Sequence, residues 1–154
     1  LTGLSPDTWY SSRVAGDAGT LSLDESYRFK TAPEPGSRSP FRFWVVGDSG
    51  TGGGAQYSVK NAMVEVAGSN TPQLFIHVGD MAYSNGTDEE FSRNFFNPYR
   101  QTLRNTVCWP AMGNHEGRTS DGLTQVGPYY DCYVLPTGGG AGGGHGSTRK
   151  VKFK

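Results

Sequence analysis

The stretch Phe41-Arg42-Phe43-Trp44-Val45-Val46-Gly47-Asp48-Ser49-Gly50 decides how the rest of the chain is read. An apolar run rich in aromatic and β-branched residues reads as a buried strand. It stops at a glycine, and the next residue carries a carboxylate. The arrangement recurs where Gln73-Leu74-Phe75-Ile76-His77-Val78 runs into Gly79-Asp80-Met81-Ala82-Tyr83. It recurs, with an amide oxygen in place of the carboxylate, where Thr106-Val107-Cys108-Trp109-Pro110-Ala111-Met112 runs into Gly113-Asn114-His115-Glu116. Pro110 is out of place in that third run, because proline cannot donate to a strand ladder. If the three strands are parallel neighbours, their following loops meet at one rim of a sheet, where open α/β sheets hold ligands.

The intervening segments supply the crossovers. Ala55–Ala67 places Val59, Ala62, Met63 and Val66 at helical spacing. Glu89–Leu103 places Phe91, Phe95, Tyr99 and Leu103 on one stripe, with Asp88 as the N-cap candidate. Pro98 is expected to kink or interrupt this second helix. The fold class from residue 41 onward is therefore α/β, with β-α-β-α-β order and a mostly parallel sheet.

Residues 1–32 read differently, as all-β. Leu4–Tyr10 is a turn feeding a strand, with the Tyr10 hydroxyl placed to cap backbone, and Ser26–Thr31 alternates as a last strand. Two strands are visible. The pattern resembles the tyrosine corner at the end of a fibronectin type III-like β-sandwich; an unrelated hairpin is the alternative. Residues 33–40, rich in Pro, Gly and Ser, read as a linker, and 41–154 as the start of a second domain.

The chain has 154 residues, and its 34% hydrophobic content is low because 23 positions are glycine. It reads as loop-rich and globular. Fourteen basic residues balance 14 acidic ones, which argues against a broad nucleic-acid or membrane-binding surface. No apolar run approaches a membrane span. Leu1 at the start and the basic–apolar alternation of Arg149–Lys154 suggest a chain cut at both ends. Gly138–Gly146, glycine except for Ala141 and His145, reads as a loop. Cys108 and Cys132 are the only cysteines; a disulfide and two unpaired thiols both remain open. Asn85-Gly86-Thr87 matches a glycosylation sequon, but Asn-Gly is also a turn signal, and the turn is favoured.

At the rim, two Asp, one Tyr, one Asn and one His suit hard metal ions and a phosphate ester. Two cations held roughly 3.5–4 Å apart can clamp the attacking and leaving oxygens of an in-line displacement. Asp80, in the middle loop, is placed to bridge them. Asp48 and Tyr83 are candidate ligands of one, and Asn114 of the other. His115 is the candidate donor to the leaving oxygen. Gly47, Gly79 and Gly113 would let each strand end turn sharply.

Gly-Asp-x-Gly, Gly-Asp-x-x-Tyr and Gly-Asn-His-Glu, in this order, resemble the first three blocks of the calcineurin-like metallophosphoesterases. The tyrosine of the second block points to the purple acid phosphatase branch. The resemblance implies half of a metallophosphoesterase sandwich behind the tail of a fibronectin type III-like domain. It implies hydrolysis of phosphate monoesters by metal-bound hydroxide at a binuclear centre of Fe(III) plus Zn, Mn or Fe. By the same resemblance Asp48 and Tyr83 bind the ferric ion, Asp80 bridges, Asn114 binds the divalent ion, and His115 contacts the phosphate. The implied partner is a small phosphorylated substrate, and the implied location is secreted or otherwise extracytoplasmic. The family's later blocks add three metal-binding histidines. This sequence has only His77, His115 and His145, with His77 read as packed in its strand and His145 as solvated. The 154 residues alone are thus expected to bind metal poorly and to turn over little.

Two rival readings stand beside this one. A truncated, non-catalytic binding module would leave the rim without a reaction. A dinucleotide-binding domain would use Gly50-Thr51-Gly52-Gly53-Gly54-Ala55 as its glycine-rich turn. Asp48 just before that turn would repel a pyrophosphate, and Tyr83, Asn114 and His115 would have no task.

Overall fold

The computed structural model describes residues 3–20 and 26–135. The 138–146 stretch with His145, and the 149–154 stretch, lie outside the described residues. Four short strands come first: β1 (Trp9–Ser11), β2 (Ala15–Gly16), β3 (Gly19–Thr20) and β4 (Arg28–Lys30). β1 pairs antiparallel with β4, and β2 with β3, so the N-terminal region holds a second small hairpin besides the expected strand pair. The Tyr10 hydroxyl accepts the Ser5 N–H at 2.8 Å, and its ring stacks on Phe29. Residues 33–40 form no helix or strand.

The main sheet follows in sequence order: β5 (Phe43–Val46), helix α1 (Gly54–Ala67), then β6 (Leu74–His77). Next come α2 (Asp88–Phe91), a π-helical turn (Ser92–Phe96), α3 (Asn97–Leu103) and β7 (Val107–Pro110). A 3-10 turn (Glu116–Arg118) and α4 (Pro128–Cys132) complete the described chain. β5 and β7 flank β6, all parallel, with Val46, His77 and Pro110 in register. The expected mixed α/β order with a parallel three-stranded sheet is present.

Pro110 sits at the end of β7, where the ladder passes to the next residue: Ala111 N–H donates to the His77 carbonyl at 2.7 Å. Its missing donor therefore costs the sheet little. The second helix is interrupted as expected at Pro98, by a π-helical turn. Proline cannot serve the Asn94 carbonyl four residues back, and Gln56 Nε2 donates to that oxygen instead. The N-cap is Thr87 rather than Asp88. The Thr87 hydroxyl accepts the Glu90 N–H, and the Glu90 carboxylate accepts the Thr87 N–H, a capping box that outcompetes a lone Asp.

Phe75, at the centre of the sheet, stacks on Trp44 at 4.6 Å and meets Phe95 and Tyr99. Phe91, Phe95 and Tyr99 are buried, as the stripe implies, together with Met81, Ala82 and Tyr129. The stripe on α1 is not buried. Val59 and Val66 stay exposed, and Gln56 is the buried side chain of that helix. Met63 and Val66 border an open cleft with Phe41, Phe43 and Trp44, so the periodic pattern located the helix but not how closely it packs. The opposite sheet face is likewise open at Phe43, Val45, Val107 and Trp109. Cys108 and Cys132 are unbridged and half-buried, and burial pushes the Cys108 thiol up to about 12. No helix among the described residues is long and apolar enough to cross a membrane.

Candidate functional site

The register places the ends of β5, β6 and β7 at one level, so the three loops leave from a common rim. Backbone bonds then zip the first loop to the second. Asp48 N–H donates to the Gly79 carbonyl and Gly50 N–H to the Asp80 carbonyl, both at 3.0 Å, and Tyr83 N–H returns to the Gly50 carbonyl at 2.9 Å. A Cβ at Gly50 would overlap the Met81 carbonyl, and one at Gly113 would overlap Asp80. Glycine is thus required at these two positions by close approach of the neighbouring loop.

The loops bring three of the anticipated oxygens together. The Tyr83 hydroxyl stands 3.2 Å from Asp48 Oδ1 and 3.2 Å from Asp80 Oδ2. It has one proton to share between two carboxylates. Asp48 and Asp80 both occupy the left-handed region, at φ 53° and 56°. Outside glycine such residues cost on the order of 1–3 kcal/mol each and cluster at ligand clamps. Burial, then the charges of Asp80 and Asp48, pushes the Tyr83 phenol well above the usual tyrosine range. A cation among the three oxygens would reverse the charge part of that shift. These are hard oxygen donors, suited to hard or high-valent metal ions. Among the described residues no group of three His, Cys, Asp or Glu forms a metal cluster; the set relies on the phenol.

The third loop adds His115 and Asn114. His115 N–H donates to Asp80 Oδ1 at 3.0 Å, so one oxygen of Asp80 faces the third loop and the other faces Tyr83. His115 Nδ1 donates to the Ser84 carbonyl at 2.6 Å; a carbonyl only accepts, so Nδ1 carries the proton and Nε2 is left for a ligand. The ring lies 4.2 Å from that of Tyr83. Asn114 is exposed on the same loop, between Gly113 and His115.

Three further features were not legible as site components. His77 is fully buried, as expected of a packed residue, but it also bonds Ser49 Oγ through Nε2 at 2.8 Å. Gly79 N–H donates to its Nδ1, so Nε2 is the protonated nitrogen. Desolvation lowers its pKa to about 4, and the ring stays neutral. Gln56 and Asn94 form a relay: Gly52 N–H donates to Gln56 Oε1, Gln56 Nε2 to the Asn94 carbonyl, and Asn94 Nδ2 to the Tyr83 carbonyl. Glu116 is fully buried beneath the second and third loops. The position of Glu116 in its block was the one sequence signal among these. Asn85 lies in a turn, as favoured, with Arg118 donating to its side-chain oxygen.

The calcineurin-like phosphoesterase family model matches residues 41–151. "Purple acid phosphatase 23" of Arabidopsis thaliana is 34% identical over 86 residues, covering 55% of this chain and 18% of that protein. "Probable inactive purple acid phosphatase 24" of the same plant is 29% identical over 128 residues, covering 75% of this chain and 20% of that protein. "Probable inactive purple acid phosphatase 27" is 27% identical over 128 residues, covering 75% and 21%. The chain thus spans about a fifth of the length of the curated relatives it matches. No solved structure matches it. The match over β5 to α4 and the likeness to purple acid phosphatases agree with the loop order at the rim, and the chain belongs to the calcineurin-like phosphoesterase family.

Proposed function

We propose that this chain provides the first part of a binuclear centre that hydrolyses phosphate monoesters. The supporting observation is the convergence of Asp48, Asp80 and Tyr83 oxygens at the strand-end rim. Asp48 and Tyr83 would hold a ferric ion, Asp80 would bridge, and Asn114 would hold zinc, manganese or iron. Such a pair of cations supplies Lewis acidity toward the phosphate and activates a water near neutral pH. The protein's own residues orient and carry protons. Tyr83, placed between two carboxylates, would pass its phenolic proton to solvent on entering the ligand set. His115, anchored through Nδ1 to Ser84, presents Nε2 at the rim, where its protonated form donates to the phosphate or leaving oxygen. Residues 1–32 belong on this reading to the end of a fibronectin type III-like sandwich, supported by the Tyr10 hydroxyl on the Ser5 N–H, and a secreted location follows the same resemblance.

Of the three histidines in the sequence, His77 is committed to Ser49 and only His115 lies among the described rim residues. The 154 residues alone are expected to hold metal weakly and to turn over little. Titration with ferric and zinc ions, read by visible absorption, tests this. The expected result is a weak charge-transfer band that disappears in Tyr83→Phe. A band that persists in Tyr83→Phe, or none at saturating iron, would refute the ligand assignment; tight two-metal binding would refute the claim of weak binding.

A further inference from the structure

Glu116 opens the 3-10 turn after the third loop, and its side chain is 0% exposed. No lysine, arginine or histidine pairs with it among the described residues. Its carboxylate is met by backbone instead. Oε2 accepts the Asp80 N–H at 2.8 Å and the Gly113 N–H at 2.9 Å, and Oε1 accepts the Ala82 N–H at 2.9 Å. Two donors come from the second loop and one from the third. An anion held only by N–H groups gives short, charge-assisted bonds whose loss leaves a buried charge unmet. Such a group stays buried only where all its donors are kept in place.

These contacts close a ring. Asp80 gives its N–H to Glu116 and takes the His115 N–H on its own Oδ1. The rotamer of Asp80 is thereby locked with Oδ2 toward Tyr83. Asn114 lies between Gly113, whose N–H is clamped, and His115, whose N–H is also clamped. We propose that Glu116 is a positioning residue whose buried carboxylate ties the Asp80 loop to the Asn114 loop and so sets the spacing between the two cation sites. This rests on the reading of Asp80 as the bridging ligand and Asn114 as the ligand of the second ion. Glu116 itself, with its carboxylate on three backbone N–H groups, lies outside the proposed ligand set.

The test uses Glu116→Gln and Glu116→Asp in the full chain. Glutamine keeps the size but replaces an acceptor oxygen with an NH2 that faces an N–H. Aspartate keeps the charge but is one methylene short. Ferric ion is added first, and zinc is then titrated while the Tyr83 band is followed. In the wild type, zinc is expected to shift the band through the shared Asp80. In Glu116→Gln the ferric band should persist within about twofold of wild-type iron affinity, whereas the zinc-induced shift should require at least tenfold more zinc. Glu116→Asp should fall between them. In a Glu116→Gln variant that folds, iron and zinc binding weakened by the same factor, or an unchanged zinc step, overturns the proposal.

If the wild type shows no Tyr83-dependent band at all, the functional reading has failed, and amide hydrogen exchange decides the clamp alone. Asp80, Ala82 and Gly113 amides exchanging at least tenfold faster in Glu116→Gln, with global stability matched, support it; unchanged rates overturn it. Should neither variant fold, couplings through the hydrogen bonds from those three amides to the Glu116 carboxyl carbon are read in the wild type. Their presence supports the clamp and their absence overturns it.

Discussion

At the scale of single residues, backbone donors hold the rim together as much as its side chains do. His77 shows how a residue that looks like packing carries a polar task. Its ring fills the core against Phe75 and Phe95, while Nε2–H holds Ser49 beside Asp48. Its pKa is lowered from 6.5 to about 4 by desolvation. The folded imidazole therefore takes a proton only near pH 4, while the unfolded one takes it near 6.5. The unfolded state binds more protons across that window, so stability is present above pH 6.5 and is lost as pH falls. By pH 4 the loss from this group amounts to about 3 kcal/mol. Urea unfolding at pH 7 and pH 4.5 should show most of this difference, and His77→Gln should remove much of it. An equal pH dependence in the variant would assign the effect to other groups.

At the scale of elements, the π-helical turn is where sequence and structure meet most informatively. Pro98 announces an interruption, but not its partner. The Asn94 carbonyl that proline leaves unserved takes Gln56 Nε2, and Gln56 Oε1 takes Gly52 N–H. Helix α1 is thereby fastened at its N-terminal end to the first loop and to the π-helical turn, whose Asn94 side chain in turn holds the Tyr83 carbonyl of the second loop. Gln56→Leu keeps the volume but strands the buried Asn94 carbonyl and leaves the Gly52 N–H without its partner. It should lower unfolding free energy by about 2 kcal/mol in chemical denaturation, with the slope unchanged. A neutral result would mean that water satisfies both groups. The stripe of α1, by contrast, is mostly exposed and only borders an open cleft beside Phe41, Phe43 and Trp44, so its helical spacing located the helix but not a close neighbour.

At the scale of the whole molecule, one sheet face is packed and the other is open. Phe43 is 59% exposed, and Val45 and Trp109 are each 48% exposed. A contiguous apolar face of this kind drives association in a soluble chain. The isolated 154 residues should therefore self-associate, seen by light scattering as mass rising with concentration. The double variant Val45→Lys, Trp109→Lys should shift the chain toward monomer without moving the site loops, which lie at the strand ends. A monomeric wild type at all concentrations would show that this face is covered.

The order of strand, glycine and oxygen-bearing side chain determined, by itself, the three strands, their parallel order and the residues at the rim. It did so because period, glycine placement and strand length are local properties written within about ten positions. What the tertiary structure alone decided are the partners. His77 answers Ser49 from 28 residues away, Gln56 answers Asn94 from 38, and Glu116 answers Asp80 from 36. A buried polar group must be satisfied wherever a donor or acceptor happens to arrive, and no local pattern says which residue that is. The same reason explains Thr87 in place of Asp88 from the other side: its partner Glu90 is three residues on, and that signal was within reach of the sequence.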